Sequence, residues 1–249
     1  MSYRFFNSNN KVSGITPEDY ARAKYYIRTA EALSQIAYES IYIIDYCAQN
    51  FLYVSPNPLF LCGFSPEEVM ALGYNFYTTR VPDDELDLLL KINAIGFRFF
   101  NNHPIEERPL FSISYDFHII NNGEDVLVNH KLTPLAMDPY GHMWLAICFV
   151  SLSNHDKAGN IEVRKLGQSE YWRFDLDLDR WINVPSVRLT DGEKEVLRLS
   201  ARGLTVDEIA ERVHRAKDSI KSRRRSIFDK LGVKSISEAI AFATNYKLI

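Results

Sequence analysis

The period of the apolar positions changes several times along the chain. Thr16-Pro17-Glu18-Asp19 opens a helix, with Thr as N-cap, Pro at the first position and acids in the first turn. The spacing carries it to about Tyr38. Ile41–Asp45 and Phe51–Val54 are short apolar runs about a turn at Ala48-Gln49-Asn50, and read as two strands. Ser65-Pro66-Glu67-Glu68 and Pro82-Asp83-Asp84-Glu85 start two further helices, the second leading into Leu86, Leu89, Leu90 and Ile92. The period then drops to two. Phe111–Ile120, Val126–Ala136 and Trp144–Leu152 predict three longer strands, separated by turns at Asn121-Asn122-Gly123 and Asp138-Pro139-Tyr140-Gly141. Strands, short helices and strands again make an α+β unit, a five-stranded antiparallel sheet with its helices in the middle.

Ser153–Asn160 is polar and marks a boundary. Beyond it, Ile161–Leu166 and Tyr171–Trp181 predict a β-hairpin around Gly167-Gln168-Ser169. In its second arm Trp172, Phe174, Leu176 and Leu178 alternate with Arg173, Asp175, Asp177 and Asp179. Pro185-Ser186 breaks the chain again. After it come four short helical patterns. Three begin with capping boxes, Thr190-Asp191-Gly192-Glu193, Thr205-Val206-Asp207-Glu208 and Ser235-Ile236-Ser237-Glu238. The break His214-Arg215-Ala216 between the second and third patterns gives helix-turn-helix spacing. Four regions are expected: a helical extension over 1–32, a sensor-like domain over 33–155, a hairpin and linker over 156–186, and a four-helix domain over 187–249.

Charge sharpens this division. The 249-residue chain has a net charge of −3, yet residues 188–249 hold 14 Lys and Arg against 9 Asp and Glu. The remainder is acidic and holds nearly all the aromatics; only Phe228, Phe242 and Tyr246 lie in the last stretch. A basic tail on an acidic body suggests modules with different partners. The third helix of the tail carries Ile220, Ile227 and Leu231 inward and Lys221-Ser222-Arg223-Arg224-Arg225 in a row. Such a helix suits a DNA major groove, where Lys and Arg donate to guanine edges and flanking Arg clamp phosphates. No apolar run approaches the roughly 20 residues of a membrane span. The N-terminus lacks a signal-peptide core, and Cys47, Cys62 and Cys148 form no CxxC pair, so a cytoplasmic protein with free thiols is expected.

From Leu189 to Ile249 the chain resembles the LuxR-type helix-turn-helix domain of bacterial transcription regulators. The resemblance rests on Leu189-Thr190, Glu193, Glu195-Val196-Leu197, Ala201, Gly203-Leu204, Glu208-Ile209-Ala210, Ser219-Ile220-Lys221, Arg224, Ile227, Lys230-Leu231-Gly232-Val233 and Glu238-Ala239. It implies that Lys221 reads bases, with Ser222 and Arg225 beside it. Ser219, Arg223 and Arg224 would contact phosphates, and Lys217 completes the DNA-binding set. It also implies dimerisation through the last helix, by Ile236, Ile240 and Ala243. Two positions depart from the family pattern. Ala216 stands where Ser usually caps the recognition helix, which predicts a start that frays or orders on DNA. Arg223 replaces the usual His and should steepen the salt dependence.

The aromatic-rich body resembles a PAS domain over about Leu33 to Leu152. The order of Tyr42-Ile43-Ile44-Asp45, Val54-Ser55-Pro56-Asn57, Gly63-Phe64-Ser65-Pro66-Glu67-Glu68 and Pro82-Asp83-Asp84-Glu85 carries that likeness. Such domains sense small molecules, cofactors or partners. Tyr42, Phe60, Tyr74, Phe76, Tyr77, Phe97, Phe117 and Trp144 are the expected lining of its interior, either round a ligand or as a filled core. Gly73-Tyr74-Asn75 is followed by Phe76 rather than Cys, against cysteinyl-flavin photochemistry. His103, His118, His130 and His142 lie in no haem motif, so the cofactor stays unknown. Asp175, Asp177 and Asp179 fail as a calcium loop because Arg180 and Ser186 stand where Gly and Glu are needed. No GxSxG, HExxH or P-loop is present, and no enzyme is expected. The expected partners are double-stranded DNA, a second copy of the chain, a small ligand or protein at the sensor, and RNA polymerase. The rival is a PAS unit that only dimerises or docks proteins.

Overall fold

The computed structural model describes residues 10–168, 170–185, 187–246 and 248–249. The N-terminal residues read for a signal peptide, Ser169 of the predicted hairpin turn and Ser186 of the predicted break lie outside them. The chain divides into two compact units, Met1–Val184 and Pro185–Ile249. Among the described residues no helix is long and apolar enough to cross a membrane, and the three cysteines are free.

In the first unit, α1 (Pro17–Ser34) starts at Thr16, whose side chain accepts from the Asp19 N–H while Asp19 caps the Thr16 N–H. β1 (Ser40–Asp45) and β2 (Asn50–Val54) follow. Four helices come next: α2 (Pro58–Leu61), α3 (Pro66–Leu72), α4 (Asn75–Arg80) and α5 (Asp83–Asn101). β3 (Phe111–Asn121), β4 (Glu124–Met137) and β5 (Met143–Leu152) are the three long strands. The periodicity did not show α2 and α4, which are too short for an amphipathic repeat. Gly73 makes the turn into α4 at φ 55°, and a Cβ there would lie 2.9 Å from Asn50 Oδ1.

The strands run β2-β1-β5-β4-β3, the PAS-like order, and the sheet then continues through β6 (Gly159–Lys165), β7 (Glu170–Asp175) and β8 (Arg180–Pro185). The predicted hairpin is present as the antiparallel pair β6–β7, and it extends this sheet at its β3 edge. β6 pairs antiparallel with β3, from Phe111 with Lys165 to Asp116 with Gly159. The hairpin's second arm is not one strand. Asp175 Oδ1 accepts from the N–H groups of Asp177 and Leu178, and Asp179 sits at φ 49°. This Asx turn overrides the alternation and splits the arm into β7 and β8.

One face of the sheet packs α1, through Ala23 and Ala30, over Ile41, Ile43 and Trp144. The other carries α2–α5 over Tyr42, Ile44, Phe117, Ile119, Val128 and Cys148. Glu85 ties α5 to β3 by accepting from the His118 N–H (2.7 Å) and its Nδ1 (2.6 Å).

The second unit holds α6 (Asp191–Ala201), α7 (Val206–Arg212), α8 (Lys217–Leu231) and α9 (Ile236–Asn245). Val196, Leu197, Ile209, Ile220, Ile227, Leu231, Ala239 and Ala243 form its core. Thr190 and Thr205 make full capping boxes. At α9 the third box is only half closed: Ser235 caps the Glu238 N–H, but Glu238 turns to the Lys234 N–H.

Candidate nucleic-acid interface and sensor core

Helix α8 is anchored by its inner stripe Ile220, Ile227 and Leu231, each buried. A polar tie to α6 fixes its rotation. Glu193 caps Thr190 and reaches across to accept from Ser226 Oγ and Lys230 Nζ, both at 2.8 Å. Burial opposes charge on this carboxyl. The Lys230 ammonium, the Thr190 N–H and the Ser226 hydroxyl outweigh it and hold the pKa down at about 2. Sequence reasoning used Glu193 as a capping residue and as part of the family likeness, not as an anchor of α8; its partners at 226 and 230 carry no local pattern that would reveal the pairing.

With that rotation set, Lys217, Lys221, Ser222 and Arg225 are exposed, while Ser219, Arg223 and Arg224 are half-buried on the flanks. At about 100° per residue the seven do not share one face: Lys221, Ser222 and Arg225 point away from the buried stripe, whereas Ser219 and Arg223 lie on one flank of it and Lys217 and Arg224 on the other. Lys217 Nζ lies 2.6 Å from Asp207, and Lys221 Nζ lies 3.2 Å from Asp218. The Arg224 guanidinium lies 6.0 Å from the centre of the Phe228 ring. Arg224 joins Val206, Lys221, Arg225 and Phe228 in lining a shallow groove. The first turn of α8 follows Ala216 with no side-chain cap. On α9, Ile236 and Ile240 are half-buried. Ala243 is fully buried in its own domain core. It must leave the expected dimer surface, because its small side chain faces the inner side of the helix.

In the core of the first unit, Tyr74 and Tyr77 line a cavity of about 20 Å³, and Phe97 lines one of about 50 Å³. The two share Tyr46, Asn93, Tyr115 and Leu132 as walls. Tyr42, Phe60, Phe76 and Phe117 are packed in the surrounding core rather than in these walls. Trp144 is misplaced by the sequence reading. The β4–β5 register slips between Pro134 and Ala136 and again before Met137. The alternation therefore breaks, and Trp144 turns to the α1 side against Tyr20.

The core of the first unit contains a buried hydrogen-bonded chain. The Tyr42 hydroxyl bridges Tyr77 (2.7 Å) and His130 Nε2 (2.6 Å). Burial pushes the tyrosine hydroxyls of 42, 46, 74 and 115 well above their ordinary pKa. It also pushes His130 down to about 3, leaving a neutral imidazole. Its Nδ1 has no hydrogen-bond partner among the described residues. The sequence, in which His130 lies in no haem motif, does not signal its pairing with Tyr42. Tyr46, Asn93 and Tyr115 were also missed, although Tyr115 directly opposes His130 across β3 and β4. Among the described residues no group of three metal-binding side chains occurs.

Residues 187–243 match the GerE family of bacterial regulatory proteins, the luxR family. No curated protein matches the chain significantly. Similar solved structures include a phage VqmA–DPO complex, 16% identical, with coverage of 92% of this chain and 91% of that one and a TM-score of 0.29. The Vibrio cholerae VqmA dimer is 17% identical, with coverage of 94% and 89% and a TM-score of 0.30. A Colwellia psychrerythraea PAS domain is 11% identical, with coverage of 53% and 97% and a TM-score of 0.35.

Proposed function

We propose that this chain, which ends in a LuxR-family helix-turn-helix domain, is a cytoplasmic, sequence-specific transcription regulator whose PAS-like unit receives a signal. The observation that carries the reading is α8: a helix locked in rotation by Glu193, with Lys221, Ser222 and Arg225 facing outward. Lys221 and Arg225 suit guanine edges, and Arg223 and Arg224 on the flanks suit phosphates. A homodimer with half-sites about 10 base pairs apart would engage one face of DNA. RNA polymerase is the partner through which such a regulator acts, and the chain itself has no catalytic role. A signal would act by population shift, favouring one presentation of the DNA-binding domains.

The test is binding to a site selected from random duplexes. Lys221→Ala and Arg225→Ala should each weaken the selected site by about 1–3 kcal/mol relative to random DNA. Arg224→Ala should weaken both and flatten the salt slope by about 1. Equal losses on selected and random duplexes from Lys221→Ala would refute base reading.

For the signal, we favour a small neutral molecule that joins the two cavities across Tyr46, Asn93 and Tyr115. The volumes support a second reading as well. About 50 and 20 Å³ are far below the roughly 300 Å³ of an ordinary ligand site. A protein-docking or dimerising PAS unit needs no ligand space. Native mass spectrometry of the purified chain separates the two: a retained adduct supports the first, and a bare chain that gains no mass in a metabolite extract supports the second.

A further inference from the structure

The first turn of α6 contains Gly192, and its lack of a side chain is used by a residue of the recognition helix. A Cβ on Gly192 would meet the Arg223 guanidinium, with its central carbon and one terminal nitrogen at 2.9 Å and the other nitrogen at 3.2 Å. The guanidinium thus lies flat against the backbone of α6 in space that any other residue would fill. Gly192 has no positive φ to explain it, and glycine inside a helix costs up to about 1 kcal/mol relative to Ala.

Arg223 and Arg225 differ from the other cations of α8, and of the two Arg225 is fully exposed. Lys217 and Lys221 are paired with Asp207 and Asp218, and Arg224 lies near the Phe228 ring. Among the described residues no hydrogen bond or ion pair engages the Arg223 guanidinium. It is half-buried on the flank of α8 that faces α6. Packing has already removed part of its rotamer freedom, and no carboxylate has to be displaced before it meets an anion.

We propose that Gly192 is a positioning residue for DNA binding: it seats the Arg223 guanidinium as a pre-set phosphate clamp beside the recognition face. The inference rests on the DNA-binding reading above. It assigns a role to a residue of a different helix, one that need not touch DNA itself. Because the clashing atoms are the far end of a flexible side chain, Gly192→Ala should displace the guanidinium without disturbing the fold. Helix propensity should then raise the thermal midpoint slightly rather than lower it.

Phosphate contacts are independent of sequence, so a random 30-base-pair duplex is a sufficient probe, titrated against the full-length chain between 50 and 200 mM salt. Arg223→Ala should reduce the salt slope by about 0.9, which makes the affinity loss over that range about 3.5-fold smaller. Gly192→Ala, which leaves the formal charge unchanged, should reproduce at least half of that reduction. The double variant should be no weaker than Arg223→Ala alone. A Gly192→Ala protein with the wild-type slope overturns the proposal, as does a double variant in which the two effects add. A wild-type chain that binds no duplex even at 50 mM salt overturns the DNA-binding reading, and this inference with it. A chain that binds DNA but shows no Gly192 effect overturns this inference alone.

Discussion

At the scale of single residues, Glu193 joins two functions that the sequence displays separately. It closes the capping box of α6 and holds α8 through Ser226 and Lys230. Its carboxyl is held at about 2, against an ordinary 4.5. A lowered folded-state value means that the stabilisation is complete above about pH 4.5 and is lost as pH falls toward 2. Glu193→Gln should destabilise the C-terminal domain by about 1–3 kcal/mol at neutral pH. It should also flatten the acid limb, measured by amide exchange of α6 and α8 in the full chain between pH 6 and 3. The inner stripe of α8 was legible from sequence, and with it the outward placement of Lys221, Ser222 and Arg225. Ala243 was not, because an alanine fits a core and a surface equally well.

At the scale of elements, capping chemistry was the most legible signal. Thr16, Ser65, Thr190 and Thr205 each start a helix with a reciprocal carboxylate. Where that chemistry is missing, the structure has nothing in its place: Ala216 makes no side-chain hydrogen bond to α8. Ala216→Ser should restore about 0.5–2 kcal/mol to this helix start. In amide exchange, the variant should protect Lys217–Ile220 in the free protein, while the wild type gains protection there only on adding DNA. Equal wild-type protection with and without DNA would show that the uncapped turn is already formed. Strands were harder to delimit than helices. Alternation alone ran β7 into β8, because it does not register the Asx turn at Asp175. It also put Trp144 on the wrong face, since a bulge depends on the partner strand and leaves no mark in its own.

At the scale of the whole molecule, the continuous eight-stranded sheet changes what the hairpin does. The larger cavity is walled by Phe97 and Phe99 of α5, Phe111 and Ile113 of β3, and Val163 of β6. Phe99 and Phe111 in turn pack Trp172 and Trp181 of β7 and β8. The wall of the cavity is therefore packed against β7 and β8. Of the three tryptophans, Trp172 and Trp181 stand beside this wall and Trp144 faces α1. A molecule that binds the cavity should shift the tryptophan emission of the chain. Replacing Trp172 and Trp181 by Phe should abolish that response, whereas Trp144→Phe should leave it. A response that survives the first replacement would place the molecule elsewhere.

Pro134 forms part of the same wall. Lacking an N–H, it has no backbone proton to donate within its strand, and the β4–β5 register slips immediately beyond it. Regular β3–β4 pairing also ends close by, at Ile113 and Leu132. The cavity is thus bordered by a stretch of sheet whose regular lacing is interrupted. Traffic through it would run on the clock of a local parting of strands, open many times for each global unfolding. A core that is closed on average can in this way still be reached through a local opening of its sheet.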